Sequence, residues 1–194
     1  MLSKGQQKLI TSLYQKKYRT QHSLFIAEGI KTVNELLNST FKLHHLFTTN
    51  PHLYTELPKD KITEISENEL IKVSLLKSPN TVLAIFETPR AIQVDQNGLI
   101  LALDGINDPG NLGTIIRLAD WFGVKHLVCS PDTADCYNPK VVQASMGSLA
   151  RVAIIYTPLD AFFANAHVPI FAADMNGSNV YKTKLPYPAV LVMG

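Results

Sequence analysis

Leu99-Ile100-Leu101-Ala102-Leu103-Asp104-Gly105-Ile106-Asn107-Asp108-Pro109-Gly110-Asn111-Leu112-Gly113-Thr114-Ile115-Ile116-Arg117 is the stretch on which the fold turns. Leu99–Leu103 is an unbroken apolar run. A strand with one wet face alternates polar and apolar residues, so a run without alternation reads as a strand covered on both faces, as in a parallel sheet. Gly105, Asn107, Pro109 and Gly110 interrupt the pattern as turn residues do. Apolar periodicity then resumes in a helix predicted over residues 113–122. Strand, loop and helix in that order form the repeating unit of an open α/β sheet, where ligands bind beyond the carboxyl ends of the strands.

The alternation continues towards the C-terminus. Residues 125–129, 151–156, 170–173 and 189–193 read as strands. Asn138-Pro139 offers a cap and a first-turn proline for a helix reaching about Leu149, and Thr157-Pro158-Leu159-Asp160 repeats that logic for a helix over 159–166. Upstream, residues 88–98 carry Pro89, Asn97 and Gly98 with little periodicity and read as a linker. Residues 1–93 then form a small α/β module of their own and residues 94–194 a second unit. The first opens on a helix with Leu2, Leu9, Ile10, Leu13 and Tyr14 on one face. Strands follow at 24–27, 45–49, 61–65 and 81–86, with a helix over 31–37 and a Ser66–Glu69 capping box.

The chain has 194 residues, 46% of them hydrophobic, and a formal charge of +2. That suits one large domain or two small ones and excludes disorder over most of the length. Two cysteines cannot build a disulfide framework. Cys129 and Cys136 fit no C-x-x-C or His/Cys cluster, so they read as buried thiols and no metal site is expected. No apolar run approaches the roughly 20 residues of a membrane span, and the first twenty residues lack a signal peptide's apolar core. The expectation is a soluble, cytoplasmic, globular protein. Its charge is uneven: residues 1–93 hold 12 Lys/Arg against 8 Asp/Glu, and residues 94–194 hold 6 against 8. A basic N-terminal half suits a polyanion, or is simply a solvated face.

Two familiar phosphate loops are absent. No G-x-G-x-x-G spacing occurs, and Gly105 to Gly110 has the P-loop interval but is followed by Asn111-Leu112 in place of Lys-Ser/Thr. On the residues alone the segment is either a tight structural turn or a ligand loop. Asn111 reads as a helix cap, and Arg117 as a surface arginine paired with Asp120 three residues on.

The string DGINDPGNLGTIIRLADWFGV resembles the first motif of the SpoU (TrmH-type) RNA ribose methyltransferases of the SPOUT class. Asn111 and Arg117 match its Asn and Arg six residues apart. Residues 138–149, NPKVVQASMGSL, resemble the family's next segment, and Leu191-Val192-Met193-Gly194 looks like the start of a third. The run from Lys16 to Gly29 is similar to the family's RNA-binding substrate domain, which has a ribosomal-protein-like α/β fold.

The resemblance implies a Rossmann-like parallel sheet of the trefoil-knot type in the second unit. It further implies transfer of a methyl group from S-adenosylmethionine to a ribose 2′-hydroxyl of structured RNA, ribosomal RNA ahead of tRNA, by a homodimer. Arg117 and Asn111 would be catalytic. Gly194, Met193 and Ala172 would face the methyl donor. Lys16, Lys17 and Arg19 would contact the RNA backbone. Asn138 would cap its helix, and Ser145 and Met146 would pack near the site. Trp121 would fill a core or a subunit interface. The rival readings are a non-catalytic RNA-binding protein with the same fold and an unrelated nucleotide-binding enzyme. Family members continue for roughly another 50 residues beyond L-V-M-G, so the resemblance also raises the expectation of a longer protein whose knot segment lies past Gly194.

Overall fold

A computed structural model describes residues 1–90 and 93–194 of the chain. Its first part contains α1 (Lys4–Ser12), α2 (Lys16–His22), β1 (Leu24–Glu28), α3 (Ile30–Leu37), β2 (Leu43–Thr48), β3 (Ile62–Glu64), α4 (Glu67–Val73) and β4 (Val82–Glu87). The four strands form one sheet in the order β1-β4-β2-β3. β4 runs antiparallel to both its neighbours, and β2 pairs with β3 in parallel. The opening helix predicted from periodicity is α1, and a second helix, α2, follows it. α1 starts on a Ser3–Gln6 capping box, and α2 stops at Ser23 in the left-handed region with φ of 53°. The predicted Ser66–Glu69 capping box opens α4. Of the linker expected at 88–98, residues 91 and 92 lie outside the described residues.

The second part contains β5 (Leu99–Leu103), α5 (Pro109–Trp121), β6 (His126–Cys129), α6 (Pro139–Ser145), β7 (Ala153–Tyr156), α7 (Leu159–Ala164), β8 (Ile170–Ala172) and β9 (Ala189–Met193). These five strands form a wholly parallel sheet in the order β7-β6-β5-β9-β8. The unbroken apolar run of β5 is explained by its place at the centre, with β6 on one side and β9 on the other. The winding direction reverses between β5 and β9. Such a switch point leaves an open crevice at the strands' carboxyl ends, the usual ligand position in this architecture.

Two predicted helices are corrected. α5 begins four residues earlier than periodicity suggested, because Asp108 caps it and Pro109 takes its first position. α6 ends at Ser145 rather than near Leu149, since Met146 adopts a left-handed conformation with φ of 53°.

The two sheets share one continuous core. Phe25, Val33, Leu36 and Phe86 of the first part join Leu103, Leu112, Ile116, Leu127 and Val141 of the second. Each fully buried side chain of this size contributes roughly 1.5–3 kcal/mol of transfer free energy. The rings of Phe25 and Tyr137 meet across the boundary at 4.8 Å. Cys129 and Cys136 are both free and buried.

Candidate active site

The crevice at the β5/β9 switch point is built from backbone outwards. The Asp104 N–H donates to the Met193 carbonyl at 2.9 Å, tying the end of β5 to the end of β9. The chain then turns at Gly105, whose φ of +64° favours glycine. The Gly105 N–H donates to Ser130 Oγ at 2.9 Å, Ser130 Oγ lies 3.0 Å from Thr133 Oγ1, and Thr133 Oγ1 donates to the Leu103 carbonyl at 3.3 Å. The Ala134 N–H donates to the Ile106 carbonyl at 2.9 Å. The loop before α5 is therefore braced by residues 130–134, which follow β6. Ser130 and Thr133 are buried, so their hydroxyls must be satisfied internally, and here they satisfy each other and the loop. Sequence reasoning missed both; the only signal was their position just beyond a strand's carboxyl end.

α5 buries Leu112, Gly113, Ile116 and Ala119. Gly113 lets α6 approach, since a Cβ there would lie 2.4 Å from that of Ala144. The opposite face carries Asn111, Thr114, Arg117, Leu118, Trp121 and Phe122, all exposed. Asn111 is not the cap expected of it. It sits inside the first turn and gives its backbone N–H to Asp108 Oδ1 at 2.7 Å, which leaves its carboxamide without an intramolecular partner among the described residues.

Arg117 likewise makes no salt bridge among the described residues. The pairing with Asp120 that its spacing allowed does not form. Asp120 is held instead by Arg151, whose Nε donates to the two carboxylate oxygens at 3.0 and 2.9 Å and whose Nη2 donates to Oδ2 at 2.8 Å. Those hydrogen bonds keep the Asp120 carboxyl below its usual range. Arg151 also pairs with Glu35 of α3. Six residues separate Asn111 and Arg117, about 9 Å along the axis. Helical side chains lean towards the N-terminus, which brings the guanidinium back towards the turn carrying Asn111. A free guanidinium and a free carboxamide on one exposed helix face can hold an anionic oxygen and a neutral hydroxyl side by side.

Met193 and Gly194 stand at the end of β9 and Ala172 at the end of β8, all exposed at the crevice. Gly194 has a packing role as well: a Cβ there would lie 3.1 Å from the Asp104 carbonyl oxygen. Trp121 is 84% exposed and fills no core of this chain. Asn138 caps α6 as expected, accepting from the Lys140 N–H at 2.9 Å. Ser145 is buried and donates to the Val142 carbonyl, whereas Met146 is exposed rather than packed.

The basic cluster divides. Lys16 and Lys17 are exposed in the first turn of α2, a place where the helix dipole disfavours cations, so helix stability does not explain them. Arg19 is only 3% exposed. Its Nη2 and Nε donate to Asp135 Oδ2 at 2.5 and 3.0 Å, and its Nη1 donates to the carbonyls of Leu13 and Tyr14. The expectation that Arg19 contacts RNA is corrected: its donors are committed inside the protein. What it does instead is dock α2 against the segment that braces the loop before α5. Among the described residues there is no group of three or more His, Cys, Asp or Glu that could hold a metal ion, and no helix long and apolar enough to cross a membrane.

Comparison with known proteins adds the following. The family model described as SpoU rRNA Methylase matches residues 98–194, and that of the MRM3-like substrate binding domain matches residues 5–84. A solved structure assigned to the TrmH family of RNA methyltransferases, from Porphyromonas gingivalis, is 38% identical and covers all of this chain and 81% of its own, with a TM-score of 0.91. An AdoMet-bound rRNA methyltransferase from Sinorhizobium meliloti is 30% identical, covering all of this chain and 79% of its own, with a TM-score of 0.88. The 23S rRNA (guanosine(2553)-2′-O)-methyltransferase RlmP of Bacillus subtilis is 30% identical over 155 residues, 77% of this chain. The chain spans 61% of that relative's length, less than two thirds.

Proposed function

The chain belongs to the SpoU rRNA methylase family, and from that premise we propose that it works as an RNA 2′-O-ribose methyltransferase on ribosomal RNA. The observation that carries the reading is an Arg117 with no salt-bridge partner among the described residues, on the same exposed helix face as Asn111, beside the β5/β9 crevice. S-adenosylmethionine is the proposed methyl source, supported by the AdoMet-bound relative. Met193, Gly194 and Ala172 offer apolar surface and backbone groups at the crevice, with the exposed Asp104 carboxylate beside them. That donor set fits a cationic sulfonium joined to an adenosine. When bound, this group supplies an electrophilic methyl to a nearby oxygen.

The chain's own residues do the rest. Arg117 holds an RNA phosphate and stabilises the negative charge that grows on the ribose oxygen as its proton passes to solvent water. Guanidinium protons are held tightly, so this electrostatic role comes more easily to an arginine than proton abstraction. Asn111 orients the ribose, and the gain from fixing the reacting oxygen in place is large in reactions of this kind. Lys16 and Lys17 take backbone phosphates. The reading includes a division of labour at 93/94, with residues 1–93 binding RNA, and a place of work in the cytoplasm.

It also includes a homodimer, supported by the contiguous exposure of Leu118, Trp121 and Phe122 on α5; apolar surface of this kind marks interfaces.

The test is transfer of labelled methyl from S-adenosylmethionine to ribosomal RNA that lacks the modification. The expected product is a nucleotide whose 3′ linkage resists alkali, the signature of a blocked 2′-hydroxyl. Label on a base, or none in RNA, rejects the proposal.

A further inference from the structure

Arg151 belongs to no motif singled out in the sequence, yet among the described residues it is an exposed cation engaged by two carboxylates. Its guanidinium joins two carboxylates from the two parts of the chain, Asp120 on α5 and Glu35 on α3. The Asp120 side chain is 19% exposed, and a partly buried carboxylate favours an answering cation. Two other cations are candidates for that role, one by proximity and one by helical spacing. Lys125 lies near enough to act on Asp120 electrostatically without pairing. Arg117 stands three residues before Asp120, at the spacing where helical side chains meet.

We propose that Arg151 is a positioning residue that keeps Arg117 free: by occupying both oxygens of Asp120 it denies that carboxylate to Arg117. The inference rests on the functional reading above for its purpose but not for its geometry. Without Arg151, Glu35 and Asp120 both lose their ion-pair partner, and Asp120 keeps only a Ser148 hydrogen bond and the unpaired Lys125 beside the helix face that must attract phosphate. Asp120 then draws Arg117 out of its exposed orientation. The bidentate geometry matters as well as the charge, because a lysine cannot cover both oxygens of one carboxylate while reaching a second.

The experiment uses the full chain, isotopically labelled, with the Arg117 Nε–Hε signal identified by its loss in Arg117→Lys. In the native protein this signal exchanges freely with water. In Arg151→Ala its exchange slows roughly two- to fivefold, the range of an exposed ion pair. Adding Asp120→Asn to Arg151→Ala returns it to the native rate, which a purely structural role for Arg151 would not produce. Methyl transfer falls by a similar factor in Arg151→Ala and recovers in the double variant, and both effects shrink at about 1 M salt. Arg151→Gln repeats the measurement in case the alanine variant folds poorly. The inference is overturned if the Arg117 signal does not change in either variant, as when Lys125 answers Asp120 instead, or if Asp120→Asn fails to reverse the change. Should the native chain transfer no methyl at all, the functional reading falls while the Arg117 signal still decides this inference.

Discussion

Helices α2 and α5 each carry one arginine that the sequence singles out for RNA, and the two meet opposite fates. On α2, Arg19 is sealed inside the molecule, with Asp135 and two carbonyls consuming its donors. On α5, Arg117 projects from an exposed face, and the one carboxylate at pairing distance along the helix is taken by Arg151. The difference teaches that a basic residue's function depends on which acids the fold brings to it. An arginine with a buried carboxylate becomes a structural staple, while one whose neighbour acid is already claimed stays available for a ligand.

The comparison breaks first at Arg117. Arg117→Ala is expected to lower methyl transfer at least about a hundredfold, the usual cost of removing a donor aimed at developing charge. Its melting temperature should move by less than about 2 °C, as for a surface substitution. Retained activity with lost stability would reverse the roles assigned to the two helices. Arg19→Ala should show the mirror image. Leaving Asp135 and two carbonyls unpaired costs about 3 kcal/mol, or roughly 6–12 °C in melting temperature for a chain of this size, and the salt dependence of RNA binding should stay as it was. A shallower salt slope at unchanged stability would restore Arg19 to the RNA surface.

Smaller effects sharpen the contrast. Lys16→Ala and Lys17→Ala should each reduce the slope of log affinity against log salt by about 1, whatever the RNA sequence, with folding untouched. Trp121→Asp should convert the proposed dimer to a monomer in light scattering; an unchanged mass would remove the outer face of α5 from any interface. The smallest signal lies at the joint between the helices. Burial pushes the Cys129 thiol up to about 12, and burial together with Asp135 pushes the Cys136 thiol up as well. Neither should react with iodoacetamide at pH 8 in the native protein, because only thiolate attacks. In Arg19→Ala, Cys136 should gain reactivity if Arg19 holds that joint shut.

Legibility from sequence followed the range of the interactions involved. The strand at Leu99–Leu103 was readable because a central parallel strand needs apolar residues on both faces, and nothing distant alters that requirement. The caps at Ser66 and Asn138 were readable because they act within three residues. The start of α5 was misplaced because periodicity sees only its buried face, while its first turn is set by Asp108 and Pro109. The end of α2 and the early end of α6 turned on single left-handed residues, Ser23 and Met146, neither of them a glycine that would have announced itself.

The candidate site divides along the same line. That a loop and helix bearing Asn111 and Arg117 follow a buried strand could be read from the residues alone, since apolar patterning and turn chemistry are local properties. That Ser130 and Thr133 brace that loop, that Arg19 is a staple, and that Arg151 leaves Arg117 free came from long-range folding. Those outcomes depend on pairings such as Arg19 with Asp135, 116 residues away along the chain. A charge reads the same in sequence whether it is paired or not; what the fold places within about 3 Å of it decides which.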